Sequence, residues 1–282
     1  MRGRPEQNLM ERRDMATVTG SAMRAADAEN LTVVPLGGPA GAEIRDFQIT
    51  GAVSASQRES ILQAFLDYHV LIFRDQDLSQ STQLAFTECF GTLEQHVIRL
   101  RNGEPAPLLH VISNLNADGQ PTSSPYSHGN YYWHTDKSYH AAPSLMTLLH
   151  ARELPPHGGD TQFANMERAY AALGDHKKRS IAGLRVEHSW EASRRNTGNR
   201  PATEEEKRDR PPVTHPLVRT HPDTGRESLY LGMHTSHVEG MDRDAGRELL
   251  AELLDGATRD EFVYSHQWRA GDLVLWDNRC LV

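Results

Sequence analysis

Short apolar runs separated by glycine and proline turns recur through most of the chain. They are rich in branched and aromatic residues and span positions 31–36, 69–73, 108–113, 144–149, 160–163, 214–220, 228–231, 262–265 and 272–276. Runs of this length and composition are typical of β-strands. No internal repeat is visible. Many short strands between turns predict a mainly β fold, a sandwich or a barrel, with flanking helices.

Helical spacing of apolar residues is confined to a few segments. The first follows a capping-box pattern that begins at Ser56. Its apolar face is formed by residues at helical spacing, namely Ile61, Leu62, Phe65 and Leu66. Further helices are predicted at 80–90, 166–173, 178–184 and 245–254. In the helix at 80–90 we expect the inward residues to be Leu84, Ala85 and Cys89.

Two polar segments interrupt these patterns. Residues 1–30 have no apolar periodicity and no hydrophobic stretch of a secretory signal, so we expect a disordered leader before a single folded domain at 31–282. Residues 191–212 are the most polar internal stretch. A long loop of this composition inside a domain is expected to be either a lid or a disordered segment.

Composition and charge narrow the class of protein. The chain has 282 residues, with 38% hydrophobic and 24% charged residues, as in ordinary globular proteins. A formal net charge of −8 argues against nucleic-acid binding, and no apolar run approaches a membrane span. Only two cysteines occur, which favours a reducing compartment and a cytoplasmic protein. The sequence leaves assembly as a homo-oligomer open.

The candidate chemistry begins at His134 and Asp136. In an extended segment, residues two apart share one face, so both side chains reach one point while Thr135 points away. One imidazole and one carboxylate make two thirds of the 2-His-1-carboxylate triad that holds non-haem Fe(II). A second His-x-Asp pair, at 221–223, continues as Pro-Asp-Thr-Gly and reads as a reverse turn. The His-x-Asp spacing alone therefore does not identify a metal site. The sequence around His134 is needed as further evidence.

Several motifs in order resemble one family, the Fe(II)- and 2-oxoglutarate-dependent dioxygenases related to taurine dioxygenase and 2,4-dichlorophenoxyacetate dioxygenase. The matching segments are Phe-Gly-Thr-Leu-Glu at 90–94, Trp-His-Thr-Asp at 133–136, Gly-Gly-Asp-Thr at 158–161, His-Pro-Leu-Val-Arg-Thr-His-Pro at 215–222, Thr-Gly-Arg at 224–226 and Gly-Asp-Leu-Val-Leu-Trp-Asp-Asn-Arg at 271–279. The segment at 234–240, with Glu-Phe-Val-Tyr at 261–264, looks closer to the phenoxyacetate dioxygenase branch.

The resemblance implies a double-stranded β-helix, a cupin-like jelly roll, that uses Fe(II), 2-oxoglutarate and O₂. The reaction would hydroxylate a small organic anion, an aryloxy acid, sulfonate, sulfate ester or carboxylate, and give succinate and CO₂. The residues it assigns are His134 and Asp136 as iron ligands, Thr161 and Asn130 near the cosubstrate, and His96 and His234 near the substrate. Each of the last four also has a structural interpretation, as a strand threonine, a loop asparagine or a hydrogen-bonded core histidine. Residues 277–279 are expected to be structural hydrogen-bonding groups.

The family pattern continues past Trp-Asp-Asn-Arg to a second histidine ligand and, later, to an arginine for the cosubstrate. The sequence in hand ends at Val282, one residue before the expected histidine. We therefore expect either further residues with those groups or an inactive truncated chain whose strand 272–276 has an open edge. A jelly roll that binds a ligand without catalysis is the alternative function. A structural zinc site is weaker, because such sites close with four protein ligands.

Overall fold

The computed structural model describes residues 31–94, 108–116, 118–120 and 131–282. The strands in these ranges are β1 Thr32–Pro35, β2 Ala42–Arg45, β3 Val70–Phe73, β4 Met146–His150, β5 Thr161–Ala164, β6 Arg185–His188, β7 Val213–Pro216, β8 Val218–Thr220, β9 Glu227–Leu229, β10 Thr235–Val238, β11 Val263–His266 and β12 Leu273–Asp277. The helices are α1 Ala55–Tyr68, α2 Gln80–Glu88, α3 Met166–Ala172, α4 Asp175–Ile181, α5 Trp190–Asn196, α6 Glu204–Asp209 and α7 Arg243–Ala257. A short 3₁₀ helix, Asp260–Phe262, leads into β11.

The strands form sheets around which the helices pack, so the predicted β architecture with flanking helices is confirmed. The largest sheet has five strands in the order β1-β2-β3-β12-β4. A three-stranded sheet has the order β10-β6-β7, and β11 pairs with β5 as β8 does with β9. Strand β12 runs antiparallel to β3 on one side and to β4 on the other. The open edge expected for this strand is therefore wrong, because both of its edges are paired.

Helix α1 shows how local sequence and packing agree. Its N-cap is Ser54, whose hydroxyl accepts from the Gln57 amide while the Gln57 side chain accepts from the Ser54 amide. This is a capping box, but it lies two residues before the Ser56 that the pattern suggested. The predicted apolar face is present, since Ile61 and Phe65 are fully buried. In α2 the fully buried residue is Phe86, whereas the residues expected inward are only partly buried.

Other predicted elements differ from the structure. Residues 108–113 form no strand, and Val111 is 70% exposed. The polar segment 191–212 is not a structureless loop, since about half of it lies within α5 and α6. Helix α6 has its own capping box, formed by Thr203 and Glu206. Strands β2, β6 and β10 were not predicted, because four-residue segments with interspersed polar residues carry too little pattern.

No helix within the described ranges is long and apolar enough to cross a membrane.

Candidate functional site

A cavity of about 290 Å³ lies between three parts of the chain: the segment before β4, the start of β5 and the end of β12. Its wall contains His134, Asp136 and Thr161, which the sequence had selected separately, together with Trp276 and Asn278. Residues from three distant stretches of the chain therefore meet at one concave surface, as ligand sites do.

The chain at 134–136 has the alternation that an extended segment predicts. His134 Nε2 lies 3.5 Å from Asp136 Oδ1, so the two side chains share one face. Thr135 is buried on the other face, where its hydroxyl donates to the Leu281 carbonyl at 2.8 Å. The prediction that Thr135 points away is confirmed.

Because Gly232 has no side chain, the backbone at this position packs closely against the backbone of Trp133 and His134. Its φ is +150°, and a Cβ built there would lie 3.0 Å from the Trp133 carbonyl oxygen and 3.3 Å from the His134 Cα. The next amide, that of Met233, donates to the same Trp133 carbonyl at 2.9 Å. A side chain at position 232 would therefore push the segment that carries His134 and Asp136.

The His134 ring is fixed in one tautomer. Its Nδ1 lies 2.7 Å from the Tyr132 carbonyl oxygen, which can only accept, so Nδ1 carries the hydrogen. Nε2, which lies towards Asp136, is then free to offer a lone pair. Histidines that bind metals commonly donate their other ring N–H to a carbonyl or carboxylate in this way.

A closed hydrogen-bond loop orients the Asp136 carboxylate. Thr147 Oγ1 donates to Asp136 Oδ2 at 2.6 Å, and Asn278 Nδ2 donates to Thr147 Oγ1 at 2.8 Å. The loop closes where the Asp136 backbone N–H donates to Asn278 Oδ1 at 3.3 Å. Oδ2 is thus engaged by the protein, while Oδ1 remains on the side of the His134 ring.

The electrostatics of the pair suit a cation. Burial lowers the pKa of His134, but the hydrogen bond and charge of Asp136 outweigh it, and the net pKa is raised above its ordinary value. Burial likewise raises the pKa of Asp136, but His134 outweighs it and holds the net pKa below the ordinary value. The Asp136 carboxylate is therefore ionised at neutral pH and favours a positive charge, either a proton or a metal cation, at His134 Nε2. An imidazole nitrogen and a carboxylate oxygen with fixed outer hydrogen bonds fit Fe(II) or a similar divalent ion.

Thr161 opens β5 and faces the same cavity. Its hydroxyl oxygen accepts from the Trp268 indole N–H at 2.9 Å. The structure thus brings Thr161 together with His134 and Asp136, and the hydroxyl proton is left available to a ligand.

His234 lies behind the metal pair. Its ring meets the His134 ring edge-on at 6.3 Å between centroids, and its Nδ1 lies 3.1 Å from Ser138 Oγ. It is not among the residues of the described chain that line the cavity. Burial, assisted by the positive charge of His134, lowers the pKa of His234 to about 3, so its ring is neutral. His96 and Asn130 lie outside the described residues.

Asp277, Arg279 and His221 form a hydrogen-bonded network beside the cavity, whereas Asn278 lies in the cavity wall. His221 Nε2 donates to Asp277 Oδ2 at 3.1 Å, and Arg279 binds the same carboxylate through Nε at 2.8 Å and Nη2 at 2.7 Å. Burial raises the pKa of Asp277, but Arg279 and His221 outweigh it and lower the net pKa to about 2. Asp223 lies in the reverse turn predicted after His221. The structural interpretation of this second His-x-Asp pair is consistent with these contacts.

Sequence reasoning missed Thr147 and Trp268. A threonine inside a strand and a tryptophan just after one have no local pattern of their own, and only the sheet pairing places them beside Asp136 and Thr161.

The geometry agrees with the family that the motifs resemble. A model of the taurine catabolism dioxygenase TauD, TfdA family matches residues 32–282. The chain belongs to this family. The resemblance read from the ordered motifs is thereby confirmed.

Similar proteins include named dioxygenases. The chain is 40% identical to an alpha-ketoglutarate-dependent 2,4-dichlorophenoxyacetate dioxygenase of Cupriavidus pinatubonensis, over 86% of this chain and 87% of the relative. It is 35% identical to an (S)-phenoxypropionate/alpha-ketoglutarate-dioxygenase of Sphingobium herbicidovorans, over 78% of this chain and 77% of the relative. Among solved structures, AAD-2 in complex with Mn(II) and N-oxalylglycine superposes with a TM-score of 0.81 at 36% identity, covering 89% of each chain.

Proposed function

We propose that this protein is an Fe(II)- and 2-oxoglutarate-dependent dioxygenase that hydroxylates a small organic anion, with an aryloxy acid as the preferred class. The observation that carries the proposal is the pair of His134 Nε2 and Asp136 Oδ1, 3.5 Å apart at a cavity that also contains Thr161. The named activities of the relatives support the same class.

His134 and Asp136 hold the iron in this proposal. The Tyr132 carbonyl fixes the lone pair of His134 Nε2, and Thr147 holds Asp136 Oδ2 so that Oδ1 is presented to the metal. Outer hydrogen bonds of this kind orient ligands and raise metal affinity. The ligands are therefore preorganised by the fold before the ion arrives.

Bound Fe(II), with 2-oxoglutarate and O₂, supplies the oxidising power: the 2-oxo acid is converted to succinate and CO₂, and the substrate carbon gains a hydroxyl group. The protein binds and orients the reactants. The Thr161 hydroxyl donates a hydrogen bond to a carboxylate of 2-oxoglutarate. His234, neutral and buried, packs edge-on against the His134 ring and supports it.

For the fold, we propose that the sheets are the parts of a double-stranded β-helix, a cupin-like jelly roll, and that residues 31–282 belong to one dioxygenase domain. The five-stranded sheet and the β10-β6-β7 sheet support this. The cavity lies among elements of more than one sheet, which is where a jelly roll holds its ligands.

The proposed substrate class rests on the expected role of His96 and on the names of two similar proteins. His96 is proposed to bind the anionic group of the substrate, and Asn130 to lie near the cosubstrate and substrate. Two similar proteins are named for phenoxyalkanoic acids, and this favours an aryloxy acid over a sulfonate, sulfate ester or simple carboxylate. Hydroxylation of the carbon next to the ether oxygen of an aryloxyacetate makes a hemiacetal, whose carbon–oxygen bond to the aryloxy group breaks to give the phenol and glyoxylate.

The test of the iron site is anaerobic addition of Fe(II) and 2-oxoglutarate to the protein expressed from its complete gene. We expect a visible charge-transfer band, and we expect His134→Ala to abolish it. His176→Ala, at an exposed position on α4, is the matched control and should keep the band. Absence of the band in the unaltered protein would favour the alternative of a jelly roll that binds ligands without catalysis.

The test of the substrate class is release of a phenol from aryloxyacetates, measured together with succinate formation, against an alkyl sulfate and an alkyl sulfonate at equal concentration. Greater kcat/KM for the aryloxyacetates supports the proposal. Greater kcat/KM for the alkyl sulfate would move the substrate class to sulfate esters and leave the iron site unaffected.

A further inference from the structure

The hydroxyl group of Thr161 is held from behind by a residue that does not reach the cavity. The Trp268 indole N–H lies 2.9 Å from Thr161 Oγ1, and Trp268 is not among the described residues that line the cavity. An indole nitrogen only donates, so Thr161 Oγ1 must be the acceptor of this bond. The threonine hydroxyl keeps one proton, and it cannot point that proton at Trp268.

Trp268 is itself fixed by a buried network. Its ring meets the His266 ring edge-on at 4.6 Å between centroids, with an angle of 90° between the planes. His266 Nε2 lies 3.1 Å from Asp272 Oδ2, and the same oxygen accepts from the Arg269 backbone N–H at 2.8 Å. His266 and Asp272 are fully buried. The carboxylate therefore anchors the chain on both sides of Trp268.

Strand pairing places this network beside Thr161. Thr161 and His266 are directly opposite each other in the β5–β11 pair, and Trp268 follows two residues after His266. The segment after β11 that carries Trp268 therefore lies beside the first residue of β5. The Asp272 carboxylate also accepts from Arg74 Nη1 at 2.6 Å, which ties the network to the end of β3.

From this geometry we propose that Trp268 is a positioning residue for cosubstrate binding: its N–H fixes the rotation of the Thr161 hydroxyl so that the proton is donated into the cavity, to a carboxylate of 2-oxoglutarate. The inference rests on the proposed role of Thr161. A hydroxyl without this bond has several staggered orientations, and binding has to select one. With the bond, the donor is preorganised before the ligand arrives.

The test is a double-mutant cycle on the dissociation constant of 2-oxoglutarate. Trp268→Phe keeps one aromatic ring against His266 and removes the N–H together with the second ring of the indole, a change that the Trp190→Phe control shares. Thr161→Val keeps the shape and removes the hydroxyl. The Kd is measured by calorimetry with Mn(II) in place of Fe(II), on the protein expressed from its complete gene. We expect Trp268→Phe to weaken 2-oxoglutarate binding by about threefold to tenfold, and to add nothing in the Thr161→Val background. The Kd of the organic substrate should not change.

Two controls separate positioning from general damage. Trp190→Phe also removes a buried indole N–H, but that group has no hydrogen-bond partner within the described chain, so the Kd of 2-oxoglutarate should stay unchanged. Thr161→Ser keeps the hydroxyl and should preserve the effect of Trp268→Phe. Each variant is first shown to have a native circular dichroism spectrum.

The outcomes are distinct. An unchanged Kd in Trp268→Phe, or an equal loss in both Thr161 backgrounds, overturns the positioning role and leaves the iron and 2-oxoglutarate function standing. An unchanged Kd in Thr161→Val overturns the role of Thr161 and this inference together. If Trp268→Phe does not fold, the indole ¹⁵N–H resonance of Trp268 is compared instead in Thr161→Val and Thr161→Ser. A shift in Val alone supports the bond, and no shift in either contradicts it.

Discussion

Thr147 Oγ1 donates a 2.6 Å hydrogen bond to Asp136 Oδ2 and accepts one from Asn278 Nδ2 at 2.8 Å. A strand residue thus connects the carboxylate of the metal pair to the end of β12. Because Oδ2 is occupied, Oδ1 is the oxygen that faces His134 Nε2. The orientation of the proposed iron ligand is therefore set by the sheet.

Removing this bond should weaken the metal site. We expect Thr147→Val to lower the affinity for Fe(II) or Mn(II) by about 10–100-fold, because the hydrogen bond that orients the proposed ligand Asp136 is lost. Thr147→Ser retains the hydroxyl and is the matched control. Metal affinity is measured by calorimetry under anaerobic conditions. Equal affinities for the Val and Ser variants would show that the hydrogen bond does not orient Asp136 for the metal.

Gly232 should tolerate no side chain. In Gly232→Ala, the Cβ meets the Trp133 carbonyl oxygen at 3.0 Å in a backbone conformation with φ +150°. We expect a loss of roughly 1–3 kcal/mol in the free energy of unfolding, together with weaker metal binding. Gly240→Ala also has positive φ, at +75°, but its Cβ has no heavy atom within 4 Å. A denaturant titration in which both variants lose the same stability would mean that the contact with Trp133 has no cost of its own.

Breaking the buried Asp277–Arg279 pair should destabilise the protein. Arg279→Gln leaves a carboxylate that is 0% exposed with His221 as its remaining side-chain partner, and we expect a loss of about 3–5 kcal/mol at pH 7. The lowered pKa of Asp277, about 2, means that its ionised form stabilises the fold above the ordinary value of 3.8. This contribution is lost as the pH falls from 3.8 through 2.

The measurement is urea denaturation at pH 7 and at pH 3. The difference in stability between the unaltered protein and Arg279→Gln should be smaller at pH 3, because the carboxyl is partly protonated in the unfolded chain. A difference that does not depend on pH would assign the loss to packing of the arginine side chain instead.

His234 should make stability fall on mild acidification. Its pKa is about 3 in the folded protein against 6.5 ordinarily, so between these values the unfolded chain binds a proton that the folded chain refuses. Stability is therefore complete above pH 6.5 and declines as the pH falls towards 3, by about 1.4 kcal/mol per pH unit from this group. His234→Phe should flatten this part of the curve of unfolding free energy against pH. An identical slope in the variant would mean that other groups bind the proton.

His96 should distinguish substrate from cosubstrate. If it binds the anionic group of the substrate, His96→Ala raises KM for an aryloxyacetate by the loss of one charge-assisted hydrogen bond, about 1.5–3 kcal/mol. The KM for 2-oxoglutarate should change far less. His176→Ala again controls for loss of a histidine as such, and equal increases of both KM values in His96→Ala would give His96 a structural role.

The family, and His134 and Asp136 as the proposed iron ligands, could be read from local motifs of the sequence. His134, Asp136 and Thr161 lie in contiguous motifs, and the i, i+2 alternation that places two of them on one face is a property of the backbone. Long apolar periodicities also located α1 and α7, because a helix that buries one face leaves a pattern over several turns. Short mixed segments leave no such pattern, and so β2, β6, β10, α5 and α6 were not predicted.

The contacts around His134, Asp136 and Thr161 depend on the tertiary structure. Thr147 reaches Asp136 because β4 and β12 pair in one register, and Trp268 reaches Thr161 because β5 and β11 pair in another. His234, which the family resemblance places near the substrate, packs edge-on against the His134 ring and is neutral; this contact too depends on the packing of the domain. Contacts between residues far apart in the chain depend on sheet register and burial, and these are settled by the packing of the whole domain. The choice of His134 and Asp136 as proposed ligands therefore rests on local sequence, whereas the orientation of their side chains depends on the tertiary structure.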